Sequence, residues 1–184
     1  MAETFGETSI LDEAIMGAND RYGIKFTSGS AGTLASISVY IRYYNPANIK
    51  CALYDSSDNL VANGTTEEKA SESGQNGWMV FAFSTPPSVD AASVYRLAWW
   101  VSDSCYIRYV SDPKQGKRMK ATVAYGAWPD PLTGTLDKYR CSIYATYYEA
   151  PPPPAKTLVQ AALISLAPLI AIPTLGQILK VAGG

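Results

Sequence analysis

Ala35-Ser36-Ile37-Ser38-Val39-Tyr40-Ile41-Arg42-Tyr43 decides the fold class. Ala35, Ile37, Val39, Ile41 and Tyr43 share one phase, and Ser36, Ser38, Tyr40 and Arg42 share the other. Apolar residues at period two predict a strand with one face on a core. Downstream, Asn45-Pro46-Ala47-Asn48 reads as a turn and residues 49–54 alternate again. Asp55-Ser56-Ser57-Asp58-Asn59 consists of residues that hydrogen-bond their own backbone in turns. Leu60-Val61-Ala62 then returns, so 49–62 reads as a hairpin.

After the polar stretch 63–77, residues 78–83 predict another strand. Residues 94–101 alternate Tyr95, Leu97, Trp99 and Val101 against Arg96 and Ala98. Ser102-Asp103-Ser104 reads as the turn of a second hairpin into 105–110. Residues 111–136 read as a long loop carrying Tyr125-Gly126-Ala127-Trp128-Pro129-Asp130-Pro131. The strand at 139–148 places Cys141, Ile143, Ala145 and Tyr147 on one face. Short strands with Gly, Pro, Asn and Asp turns predict an all-β body, two antiparallel sheets packed as a sandwich. The specific expectation is an eight-stranded jelly roll.

Along this path the chain resembles the small jelly-roll domains of unassigned function in archaeal, bacterial and viral surface proteins. The residues that carry the likeness are VYIRYYNPANIKCALYDSSDNLVA at 39–62, Gly77, Trp78, Val80, Phe81 and Phe83, YRLAWWVSD at 95–103, YGAWPDP at 125–131 and YRCSIYATYYE at 139–149. It spans roughly residues 8–148 and is similar in plan to carbohydrate-binding modules, which implies a fold more than an activity.

Composition narrows the function classes. All 16 acidic residues fall within 1–149, with 13 of the 15 basic ones, a formal charge of −3 for that body. Nucleic-acid binding needs a basic face, so no nucleic-acid partner is expected. The basic run Lys114, Lys117, Arg118 and Lys120 reads as a solvated loop. The chain has no histidine, and Cys51, Cys105 and Cys141 stand far apart with no paired spacing. That argues against a zinc site and against an activated thiolate, and no cofactor is expected. The three thiols read as small buried hydrophobes, with one disulfide among them left open. The N-terminal residues lack the basic and apolar regions of a signal peptide.

Several residues invite a functional reading. Tyr125, Trp128 and Asp130 combine rings that stack on sugars with a carboxylate for hydroxyls, and Trp100 or Tyr106 would join them. The alternative is that Trp128 plugs one end of the sandwich, as aromatics usually bury most of their area. Asp55, Asp58 and Asn59 offer oxygens to calcium but equally close a hairpin. Asn63-Gly64-Thr65 fits the N-glycosylation pattern, and Asn-Gly also suits a tight turn. Glu67, Glu68, Glu72, Asp130 and Asp137 supply carboxylates, yet nothing in the sequence pairs two of them as a glycosidase requires. The body is therefore not expected to be an enzyme.

The C-terminus is of another kind. Residues 1–149 form the expected head, 150–156 a proline-rich linker with Pro151–Pro154, and 157–184 a hydrophobic tail. No charge occurs in 157–179, which carries Leu158, Val159, Leu163, Ile164, Leu166, Leu169, Ile170, Ile172, Leu175, Ile178 and Leu179. As one helix this would measure about 34 Å at about 1.5 Å per residue, against a bilayer core of about 30 Å. Pro168 and Pro173 break such a helix. The tail is thus expected in a lipid membrane, docked into other copies or subunits of an assembly, or packed back onto its own sandwich, the last opposed by the proline stalk and by aliphatics all around the helix. The reading that follows is a non-enzymatic structural protein of a virion or cell-surface envelope, a head on a stalk held by its tail. The alternative is a glycan-binding module.

Overall fold

The computed structural model describes residues 1–112 and 117–150, with the backbone alone at 13–15. Fourteen strands follow one another: β1 Ala2–Gly6, β2 Glu13–Met16, β3 Asp20–Thr27, β4 Gly32–Arg42, β5 Asn48–Tyr54, β6 Leu60–Ala70, β7 Asn76–Ala82, β8 Ser88–Val89, β9 Val94–Val101, β10 Cys105–Ser111, β11 Arg118–Thr122, β12 Thr135–Asp137, β13 Tyr139–Cys141 and β14 Ile143–Glu149. Every described pairing is antiparallel. The described residues contain no helix, and so none long and apolar enough to cross a membrane. Of the predicted linker only Ala150 is described, its N–H donating to Ala31 O at 3.0 Å; residues 151–156 and the predicted tail lie outside the described residues.

Two sheets result. The first joins β1, β14, β4, β10 and β13, with β7 and β8 also on β4 and β2 on β10. The second runs β12-β11-β3-β9-β5-β6. Along the chain the strands change sheet repeatedly: β3 in the second, β4 in the first, β5 and β6 in the second, β7 and β8 in the first, β9 in the second and β10 in the first.

The alternation that opened the sequence is the alternation of β4. Ile37, Val39 and Ile41 are fully buried, opposite Phe81 and Met79 of β7 on one side and Ala145 and Ile143 of β14 on the other. Ile49, Cys51 and Leu53 of β5 and Leu97, Trp99 and Val101 of β9 complete the same buried cluster from the second sheet. Side chains of both sheets therefore share one core, a sandwich-like arrangement. Burying each large aliphatic contributes about 1.5–3 kcal/mol. Trp99 lies at its centre, stacked on Tyr22 at 5.4 Å, with its indole N–H donated to Met16 Sδ at 3.4 Å.

The predicted 49–62 hairpin is present: Tyr54 pairs with Leu60, and the Asp55 carboxylate accepts the backbone N–H groups of Ser57 and Asn59. Three expectations are corrected. Residues 94–101 and 105–110 do not pair as a hairpin. Both edges of β9 are taken, by β3 and β5, so 102–104 carries the chain across to the first sheet. The predicted loop 111–136 contains β11 and the start of β12. Arg118 is not solvated: it is 6 % exposed, ion-paired with Asp137 at 2.6 Å, and its guanidinium lies 4.2 Å from the Tyr22 ring centre and 4.8 Å from that of Tyr139. Lys120 pairs with Asp20 at 3.4 Å. Lys114 lies outside the described residues.

Candidate functional site

The outward face of the second sheet carries three rows across β3, β9 and β5. Gly23, Ala98 and Ala52 are paired neighbours and form the middle row. Arg21, Trp100 and Lys50 form the row on one side, and Lys25, Arg96 and Tyr54 the row on the other. Three small residues in line leave a trough between longer side chains. A Cβ added at Gly23 would sit 2.7 Å from Arg96 Cδ and 3.1 Å from Leu132 Cδ2, so the trough is filled. Its filler is the segment 123–134. Leu132 packs there with Ala52, Ala98 and Tyr54 in a second apolar cluster, flanked by Leu60, Met119 and Trp128.

This segment is tied down at many points. The Val123 N–H donates to Asn19 O at 3.1 Å, and the Tyr125 N–H to Asn19 Oδ1 at 3.1 Å. Lys50 Nζ donates to Gly126 O. Tyr54 OH donates to Pro129 O at 2.7 Å, Leu60 N–H to Asp130 Oδ1 at 2.9 Å and Leu132 N–H to Asp58 O at 2.8 Å. Arg21 donates to Thr133 O at 2.8 Å.

Trp128 and Tyr125 consequently stand together, as the sequence suggested. Both are half-buried, with ring centroids 5.5 Å and 5.4 Å from that of Trp100. Trp128 also meets Tyr54 edge-on at 6.1 Å. It covers the outer trough rather than plugging an end of the sandwich. Lys50 Nζ lies 4.4 Å from the Tyr125 ring centre, 5.1 Å from that of Trp100 and 5.7 Å from that of Trp128, a cation among three rings. Burial lowers the Lys50 pKa and Glu68 opposes that shift. Tyr125 OH donates to Glu68 Oε2 at 2.8 Å; burial and that bond push its pKa upward. The Trp128 indole N–H is buried without a partner among the described residues. Trp100 joins the group but is only 3 % exposed. Tyr106 belongs to the first sheet, beside Arg42 and Tyr44. Lys50 carried no signal in sequence and Glu68 only that of an unpaired carboxylate; the pairing of β5 with β9 and β6 brings them here.

The remaining sequence candidates are dispersed. Asp55 is occupied by its own turn, and Asp58 pairs with Arg96 at 2.8 Å and Lys25 at 3.3 Å. Among the described residues no group of three His, Cys, Asp or Glu is placed to hold a metal ion. Asn63 is exposed at φ 59° in β6, within an irregular stretch of the β5–β6 register. Glu67 accepts the Ala82 N–H and Asp137 holds Arg118, while Glu72 sits in the β6–β7 turn. All three cysteines are free and buried.

Residues 16–126 match the family described as "Domain of unknown function (DUF4082)". The match covers more than half of the chain, which therefore belongs to this family. No curated protein matches the chain.

Proposed function

We propose that this DUF4082 member is a non-enzymatic structural protein of a virion or cell-surface assembly. In this reading residues 1–149 are a jelly-roll head, 150–156 a stiff stalk, and the tail of 157–184 anchors the head in a membrane or in neighbouring subunits. One observation carries it: every acidic residue and nearly every basic one lies in the head, while 157–179 has no charge and eleven large aliphatic side chains. Such a segment does not stay in water. The repeated change of sheet between successive strands supports jelly-roll connectivity for the head. The test compares the full chain with a form ending at Glu149 by sedimentation and liposome flotation. The full chain is expected to float or to sediment as an assembly, and the shortened form to do neither. A shortened form that behaves like the full chain overturns the reading.

A second reading, glycan recognition by the head, is favoured by the preorganised loop. Trp128 and Tyr125 are half-buried rings held in place by many backbone hydrogen bonds, and ordering them costs a ligand little. Many heads on one particle would convert weak sugar contacts into avidity.

A further inference from the structure

At the side of the sandwich where β6 and β7 approach, the turn 71–75 and the outer edge of β7 enclose an open cleft of about 400 Å³. Lys69, Glu72, Gln75, Trp78 and Val80 line it. A cleft of this volume falls in the range of small-ligand sites, about 300–1,000 Å³.

Its walls are fixed by bonds that do not fill it. Residues of β7 point their backbone groups alternately toward β4 and away from it. Gln75 O and Phe83 N–H bond to the β4 side, so Val80 O and Ala82 N–H face outward. Lys69 Nζ donates to Val80 O at 2.7 Å, and Glu67 Oε1 accepts from Ala82 N–H at 3.0 Å. The two side chains also pair with each other at 2.9 Å. They close the edge of β7 to a further strand and hold the Lys69 ammonium at the cleft. The turn is anchored in turn: Ser71 N–H donates to Ala47 O at 2.8 Å, Ala47 N–H to Ser71 Oγ at 3.0 Å and Tyr43 N–H to Gln75 O at 2.8 Å. Trp78 is half-buried and braced edge-on by Tyr144 at 4.8 Å and Tyr40 at 5.6 Å.

The contrast with the Trp128 loop lies in the polar atoms. There, Tyr125 OH, the Asp130 carboxylate and the Lys50 ammonium all bond to the protein itself. In the cleft, the Glu72 carboxylate and the Gln75 amide make no hydrogen bond among the described residues. A braced indole beside an unused carboxylate, an unused amide and a fixed ammonium is the set that a pyranose requires. One apolar sugar face lies on the ring, and hydroxyls meet the donors and acceptors at its edge. Lys69 is already neutralised by Glu67, and Glu72 is left as the uncompensated charge, so an anionic sugar is repelled.

We propose that this cleft is a binding site for a neutral glycan, one or two pyranose rings long. Trp78 is the stacking platform, and Glu72, Gln75 and Lys69 hold the hydroxyls. The proposal rests on the glycan-recognition reading and adds a site separate from Trp128. The experiment applies the full chain to an array of neutral and acidic oligosaccharides, followed by titration calorimetry with the best neutral binder. Trp78→Ala, the pair Glu72→Ala/Gln75→Ala and Trp128→Ala are compared with wild type. Neutral oligosaccharides are expected to bind and acidic ones not. Trp78→Ala should weaken binding at least about 10-fold and Glu72→Ala/Gln75→Ala about 3- to 10-fold, the scale of one net hydrogen bond. Trp128→Ala should remove only the binding that belongs to its own loop and leave the Trp78-dependent component of the titration in place. The Glu72/Gln75 pair makes no side-chain bond in the fold, so its result stands even if Trp78→Ala fails to fold. Binding lost in Trp128→Ala but kept in the Glu72/Gln75 variant overturns the cleft and spares the glycan reading. No neutral glycan bound by wild type overturns both. Capture of extended peptides in place of sugars also overturns the cleft assignment.

Discussion

Removing the guanidinium of Arg96 should loosen the outer face of the second sheet. Arg96 is 3 % exposed, donates Nε–H to Asp58 Oδ1 at 2.8 Å and a second N–H to Asp58 Oδ2 at 3.4 Å, and gives a third to Gly23 O at 2.9 Å. Breaking a fully buried ion pair from one side typically costs about 3–5 kcal/mol. Here the carboxylate side chain is 19 % exposed and keeps Lys25 at 3.3 Å, so part of the loss is screened. Arg96→Met is therefore expected to cost about 2–3 kcal/mol. Asp58 has φ 68°, a conformation that asparagine tolerates, so Asp58→Asn removes the charge without adding backbone strain. That substitution leaves Arg96 buried with weaker acceptors and is expected to cost about 1.5–3 kcal/mol. The double variant should cost less than the sum, with a coupling of about 1–2 kcal/mol. Urea unfolding of the four full-length forms measures it. Asp58 O also accepts the Leu132 N–H, so iodide quenching of Trp128 fluorescence should rise in Arg96→Met before global unfolding. Additivity within about 0.5 kcal/mol would show that the two side chains are not coupled and that the turn does not rely on Arg96.

Two further outcomes follow from packing. A Cβ at Gly64 would lie 2.6 Å from Val61 O and 2.7 Å from Leu53 O, both backbone, whereas one at Gly77 meets nothing within 4 Å. Gly64→Ala should lose at least about 2 kcal/mol in urea unfolding and Gly77→Ala should stay within about 0.5 kcal/mol of wild type; equal effects would refute the close approach at Gly64. Burial pushes the Cys105 and Cys141 thiols up to about 12 and raises Cys51 as well. All three should resist a disulfide reagent in the native protein and react once it is unfolded, and fast labelling of the native state would contradict their burial.

How far the sequence reached depended on whether a feature was local. The 49–62 hairpin was legible because Asp55 closes its turn with bonds to Ser57 and Asn59, all within five residues. The segment Ser102-Asp103-Ser104 shows the same turn chemistry yet makes a crossing between sheets. What separates the two is not in the turn. It is that β3 and β5 already occupy both edges of β9, a fact about residues far away in sequence. β11 escaped notice because Arg118 and Lys120 looked like solvated charges, and their partners Asp137 and Asp20 lie 19 and 100 residues away.

The candidate site shows the same division. Trp128 was found because an aromatic among prolines in a loop stands out, but its seat was not, although the seat is written in the sequence. Ala98 and Ala52 occupy outward positions of β9 and β5, where an exposed strand would carry longer polar side chains, and both are fully buried. Small residues in the outward phase of two strands mean that something lies on that face. With Gly23 alongside, they form the row on which Leu132 rests, and that row places Trp128 against Trp100 and Tyr54. The ring is held by contacts within the fold, and its presence alone does not make a ligand site. The stronger sign is a polar group with no internal duty beside a braced ring, and Glu72, Gln75 and Trp78 meet that description at the β6–β7 side of the sandwich.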